Sequence, residues 1–175
     1  FGWIIPNTLS CFIQSLTSWI YRSSKIFRGK IVLGKKTASD KGKTAILFAA
    51  ALEVGGLIAE ADTRQTQALR LYGEALGISF QIVDDFLDYA GNKFDLGKNV
   101  GDDFREKKIT LPIIFSIENN NHQNLEFWKR TLRKGQQNGE DFVIAQKILT
   151  DDGSLEKTRL EAIYWSNLAK SQLKM

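Results

Sequence analysis

The chain has 175 residues, a net charge of +4, 43% hydrophobic and 25% charged residues, and only 2 prolines. That length holds one domain with a real core rather than two, and the composition is that of a globular protein rather than a disordered one. The lone Cys11 excludes an internal disulfide framework and fits a reducing compartment, and no apolar run approaches the roughly 20 residues that cross a bilayer.

Charge is unevenly spread. Residues 1–39 carry Arg22, Lys25, Arg28, Lys30, Lys35 and Lys36 and no acid, which leaves 18 of the 24 basic residues against all 20 acidic ones further on. The shift marks a boundary near Asp40 and separates a basic segment, 1–40, from the rest, 41–175. The only methionine is Met175, so the sequence reads as a processed chain or a fragment.

Residues 7–28 read as a helix, with Pro6 and Asn7 at its start and Leu9, Phe12, Ile13, Leu16, Trp19 and Ile20 at three- and four-residue spacing. A packed core helix, an amphipathic segment on a membrane surface and an acid-poor targeting-like stretch all fit it. Gly29, Gly34 and the lysines after them read as a loop. From Lys43 the run Ala45 to Leu52 is almost wholly apolar, the pattern of a helix buried on most sides. A second long helix is expected over 64–89, with Leu69, Tyr72, Leu76, Phe80, Val83 and Leu87 as its apolar stripe. A glycine-punctuated loop from Gly91 to Lys108 follows. Thr110 and Pro112 then open a helix through Ile117. Later helices are expected near 123–133, 140–149 and 154–173, with Trp128 and Trp165 as core anchors. His122 falls in an asparagine-rich turn and reads as a surface residue. With no two-residue alternation anywhere, the fold class is all-α.

The chemistry concentrates in Gln81-Ile-Val-Asp84-Asp85-Phe-Leu-Asp88. At about 100° per residue, Asp84 and Asp88 lie about 40° apart with Gln81 beside them, and Asp85 lies about 100° round from Asp84. Three carboxylates in five residues repel unless something compensates them, and magnesium, which binds oxygen and bridges carboxylates to phosphates, is a natural compensator. The plain alternative is a solvated acidic patch, although acids are disfavoured at a helix C-terminus. Gly73 and Gly77 share that sector, which suits either a cleared channel or close helix packing. Lys98, between Gly97 and Gly101, and Lys43-Thr44 at an earlier helix start offer ammonium groups and a hydroxyl to a phosphate. No basic-aromatic periodicity argues for nucleic acid.

In order and spacing, Lys43-Thr44 with its Ala-rich helix, Glu53-Val-Gly55-Gly56, Gly73-x-x-x-Gly77, Gln81 with Asp84-Asp85-x-x-Asp88, Gly97-Lys98-x-x-Gly101-Asp102 and Lys108-x-Thr110-Leu111-Pro112 resemble the C-terminal half of the trans-polyprenyl diphosphate synthases. The match runs over 41–117, weakens toward Leu173, and looks most like the long-chain octaprenyl and decaprenyl types. It implies an antiparallel helical bundle of the isoprenoid synthase type, incomplete here, with 41–175 its C-terminal portion. It also implies Mg²⁺-assisted condensation of an allylic diphosphate with isopentenyl diphosphate in isoprenoid and quinone side-chain biosynthesis. Asp84, Asp85 and Asp88 would form the metal motif. Lys43 and Lys98 would contact the diphosphate, and Thr44 and Gln81 would sit by the reacting allyl group.

The departures are equally specific. The family's first aspartate-rich motif has no counterpart in residues 1–40, whose only acid is Asp40, and Lys107 stands where the family usually has glycine. The chain alone is therefore expected to be inactive, as a truncated prenyltransferase. Alternative readings are a non-catalytic partner subunit of a synthase and an unrelated all-α protein with a membrane-contacting N-terminus. The resemblance further implies a homodimer or a heteromer with a synthase subunit. The expected location is cytoplasmic, with weak membrane-surface contact or a mitochondrial address left open.

Overall fold

A computed structural model describes residues 36–90 and 100–174, with side chains from Thr44 onward. The 7–28 helix expected from the sequence lies outside the described residues. Every regular element among the described residues is helical: α1 (Lys36–Ile58), α2 (Thr63–Ala90), α3 (Asp102–Arg105), α4 (Leu111–Glu118), α5 (His122–Trp128), a π-helical turn (Lys129–Arg133), α6 (Asp141–Asp151) and α7 (Ser154–Gln172). Helix α1 starts at Lys36, inside what the sequence suggested was loop, and the 91–108 stretch contains the short helix α3.

Helices α1 and α2 form an antiparallel hairpin, and the register follows from glycine. A Cβ added at Gly56 would fall 2.9 Å from Leu69 Cδ1, one at Gly73 would fall 2.6 Å from the Phe48 carbonyl oxygen, and one at Gly77 would fall 2.7 Å from Ala45 Cα. Partners thus descend along α1 as they ascend along α2. The two glycines on the aspartate face are packed against the α1 backbone, with Ala45 and Ala49 buried opposite them. Close helix packing, not a cleared channel, accounts for them.

This close approach decides which face of α2 is buried. The expected stripe is not the core: Phe80 and Val83 are exposed, and Leu69, Tyr72, Leu76 and Leu87 are only half-buried. The buried residues are mostly small, Thr66, Ala68, Gly73, Ala75, Gly77 and Ser79, joined by Ile82, Asp85 and Tyr89. Helix α7 packs on a second face of α2, where Ser79 Oγ donates to the Ala162 carbonyl at 2.9 Å. Helix α1 is likewise buried on one face only, since Ile46, Leu47, Val54, Leu57 and Ile58 are exposed.

The main core lies behind the far end of α2, where Tyr89, Phe104, Ile113, Ile117, Trp128 and Leu149 meet. Trp128 is fully buried, as its size favours, and its indole N–H reaches Ser116 Oγ at 3.0 Å, which in turn donates to Asp152 at 2.5 Å. Trp165 is only half-buried, at the edge of a second cluster with Ile82, Leu111 and Ala162. His122 is exposed, directly after the N-cap Asn121. Before α6, the buried Asp141 carboxylate takes both guanidinium nitrogens of Arg130, at 2.6 and 2.9 Å, which holds it below the usual carboxylate range.

Candidate functional site

The three aspartates close α2, but the structure gives each a different environment. Asp84 is exposed. Asp85, about 100° round the helix, is 3% exposed and its Oδ2 accepts the Leu111 backbone N–H at 3.1 Å. It thereby caps the first turn of α4, a task that the preceding Thr110 does not perform with its own side chain. Asp88 is half-buried. Its Oδ1 accepts the N–H groups of Gly101 and Asp102 at 3.0 and 3.2 Å, and its Oδ2 accepts that of Asp103 at 3.1 Å. Burial raises the Asp88 pKa above its ordinary value, the nearby Asp103 carboxylate adds to that, and the three N–H donors oppose it.

Among the described residues, no group of three or more carboxylate, histidine or cysteine side chains is gathered to hold a metal ion. As the side chains stand, Asp84, Asp85 and Asp88 are not gathered into one three-carboxylate group. The sequence carried one signal of this, the angular offset of Asp85.

The antiparallel hairpin brings the other candidates near. With Ala45 level with Gly77, the half-buried Thr44 lies about one turn along the axis from the half-buried Gln81, and Asp84 follows one turn later. The Phe48 and Phe80 rings meet at 5.7 Å beside them. Lys43 belongs to α1, although its side chain is outside the described residues, and Lys98 lies outside them altogether.

Several contributors were not assigned a place in the site from the sequence. Gly101 has φ 87, and an added Cβ would fall 2.6 Å from the Phe142 ring, so both conformation and space require glycine there. Asp103 and Glu106 hold the Lys108 ammonium at 2.9 and 2.8 Å and raise its pKa, with Glu106 the larger cause. The Tyr89 and Thr110 hydroxyls are buried without a partner of hydrogen-bonding geometry, and burial drives the Tyr89 phenol well above its usual range. Tyr89 directly follows Asp88, and Thr110 directly precedes Leu111, whose N–H Asp85 accepts.

An all-α bundle of the isoprenoid synthase type, with an acidic helix end facing a returning chain, is the class that fold and site define. The polyprenyl synthetase family matches residues 36–149, and the chain belongs to that family. It is 40% identical over 115 residues to an octaprenyl diphosphate synthase of Haemophilus influenzae, covering 65% of this chain and 34% of that protein. A prenyl transferase of Cyanophora paradoxa is 30% identical over 177 residues, covering 96% of this chain and 53% of that one. Among solved structures, a decaprenyl diphosphate synthase from Rhodobacter capsulatus superposes with a TM-score of 0.72 at 40% identity, over 96% of this chain and 53% of that chain. A polyprenyl synthase from Caulobacter crescentus complexed with calcium and isoprenyl diphosphate gives a TM-score of 0.74 at 34% identity, over 95% and 54%. The chain thus spans about a third to a half of the relatives it matches. No helix among the described residues is long and apolar enough to cross a membrane.

Proposed function

We propose that this chain supplies the leaving-group side of a trans-prenyl transfer site, in which an allylic diphosphate is held for attack by isopentenyl diphosphate. The observation that carries the reading is the exposed Asp84 one turn beyond Gln81, on a hairpin whose register sets Thr44 alongside. The donor set suits magnesium: Mg²⁺ keeps several waters and needs only one or two protein carboxylates beside substrate phosphates, so the lack of a three-carboxylate group is no obstacle. Bound there, the ion would neutralise charge gathering on the departing diphosphate. Lys43 and Lys98 would add point charges to the same group, and Thr44 and Gln81 would face the carbon losing it. The allylic carbon would then accept the alkene's electron pair, and the cation so formed would lose a proton to the released diphosphate to give the product, with apolar surroundings keeping water from the cation. Asp85 and Asp88 enter this reading through the backbone they hold.

The related solved structure crystallised with calcium and isoprenyl diphosphate supports a diphosphate-and-cation site in this fold. The second reading, a subunit or fragment that completes its site with helices from another part of a synthase, is favoured by the exposed apolar face of α1. Residues 1–40 offer no other aspartate-rich motif, so the 175-residue chain alone is expected to give no condensation product. A cytoplasmic or membrane-peripheral setting accords with both readings.

The test is calorimetric titration of the purified chain with inorganic diphosphate, with and without Mg²⁺. Binding should require Mg²⁺ and be lost in Asp84→Ala with the circular dichroism spectrum unchanged. Equal binding by Asp84→Ala, or steady turnover of isopentenyl diphosphate with an allylic primer by the chain alone, overturns the assignment.

A further inference from the structure

The three aspartates leave α2 in three different situations, and the last of them holds three successive backbone N–H groups. A carboxylate offers about four lone-pair positions. Asp88 uses three of them on the successive N–H groups of Gly101, Asp102 and Asp103, and its own main-chain carbonyl accepts a further bond from the Gly101 N–H at 3.0 Å. We propose that Asp88 is a clamp rather than a metal ligand: it fixes the point at which the chain, having left α2, returns against the end of that helix one turn beyond Asp84, and so acts as a positioning residue for the diphosphate site. The assignment rests on the function proposed above and divides the labour within its acidic motif.

The surroundings fit a clamp on both sides. The returning chain is seated by Gly101, whose left-handed φ of 87 aims its N–H and the two that follow at one carboxylate. Only glycine fits, because the Phe142 ring occupies the space of a side chain, and that ring in turn packs on Tyr89 at 6.0 Å and on Phe104 at 6.0 Å. Gln146 ties α6 to the same turn by donating to the Tyr89 carbonyl at 2.6 Å. Downstream, Arg105 closes the segment by donating to the Val100 carbonyl at 2.8 Å and to Asp102 at 2.6 Å. With two N–H donors on Oδ1 and one on Oδ2, about one lone-pair position is left, so a cation held by both Asp88 oxygens would have to displace N–H donors from Oδ1. In sequence, Lys98 precedes the clamped Gly101 by three residues, so holding Gly101 tethers that lysine on a short length of chain.

The clamp and the ligand readings part company at Gly101→Ala, which leaves every carboxylate in place. Titrations of the full chain with inorganic diphosphate over a range of Mg²⁺ would compare this variant with Asp88→Ala, Asp88→Asn and Asp84→Asn. Clamp loss should weaken diphosphate binding at saturating Mg²⁺ by about five- to tenfold in both Gly101→Ala and Asp88→Ala, with the Mg²⁺ midpoint moving less than about twofold. Asp88→Asn keeps one acceptor oxygen and should restore most of the affinity. Asp88→Ala combined with Lys98→Ala should bind no more weakly than Lys98→Ala alone, a coupling that a general loss of stability does not produce. Independently, the Gly101, Asp102 and Asp103 amides should be protected from exchange in metal-free protein and lose that protection in Asp88→Ala. Unchanged diphosphate binding in Gly101→Ala, together with a Mg²⁺ midpoint raised about tenfold in Asp88→Asn as in Asp84→Asn, would make Asp88 a ligand and end the proposal. Absence of diphosphate binding in the unsubstituted chain would instead sink the proposed function, while amide exchange would still decide whether the clamp exists.

Discussion

Lys107 adopts φ 59, in the left-handed region, at the exit of α3. Its N–H returns to the Phe104 carbonyl and that of Lys108 to the Asp103 carbonyl, the paired bonds of a helix terminus built around a left-handed residue. Glu60 does the same after α1, with φ 55 and the bonds Glu60 N–H to Leu57 and Ala61 N–H to Gly56. Glycine is the usual occupant because a Cβ costs about 1–2 kcal/mol in this conformation. The sequence marked Lys107 as a lysine in a glycine position; the φ angle supplies the reason. Lys107→Gly should therefore stabilise the chain by roughly 0.5–1 kcal/mol once the greater freedom of glycine in the unfolded chain is subtracted, a rise of about 1–4 °C in thermal midpoint. The gain is tempered because the Lys107 side chain lies against Gly135. A lowered midpoint in a circular dichroism melt would show that this side-chain packing outweighs the strain.

At the scale of helices, the boundaries of α2, α4, α6 and α7 were legible to within two residues, because Thr110-Leu-Pro, Gly139, Gly153 and the 3.6-residue period are local signals. The buried face of α2 was not. A hydrophobic pattern weights large side chains, and Leu69, Leu76, Phe80 and Val83 outvote two glycines and an alanine. Close backbone approach reverses the weighting, since only small residues let α1 come within contact of α2. The helical period sets Asp85 about 100° off the face of Asp84 and Asp88, but nothing local in the sequence announces that its carboxylate will cap a helix 26 positions away. The glycines give a test in which geometry decides the sign. At Gly73 an alanine Cβ would meet backbone at 2.6 and 2.9 Å, contacts that force α1 away, and the cost of about 1–3 kcal/mol for overpacking exceeds the helix-propensity gain of about 1 kcal/mol. At Gly55, where nothing lies within 4 Å, the propensity gain stands alone. Urea unfolding should move the midpoint down for Gly73→Ala and up for Gly55→Ala; equal shifts of one sign would show that the hairpin is not packed through Gly73.

At the scale of the whole molecule, α1 is the element whose surroundings are unlike its sequence. An almost continuous apolar run predicts burial all round, yet Leu47 is 67% and Ile58 78% exposed, with Ile46, Val54 and Leu57 beside them. Burying such side chains is worth about 1.5–3 kcal/mol each, so five of them amount to on the order of 10 kcal/mol before the cost of association, itself about 4–15 kcal/mol. That balance leaves little net affinity for a poorly matched surface and gives firm binding only for a helical surface that matches. The relatives are two to three times as long as the stretch this chain matches, so the matching surface is sought in the remainder of a polyprenyl synthase. Co-expressed with the N-terminal half of a related synthase, the chain should co-purify with it. The triple variant Leu47→Glu, Val54→Lys, Leu57→Glu should fail to do so while its own thermal midpoint moves little, because exposed substitutions usually change stability by under about 0.5 kcal/mol each. Retention of the partner by the triple variant would mean that α1 is covered by something else, and would remove the physical support for the subunit reading while leaving the Asp84 site to be judged on diphosphate binding alone.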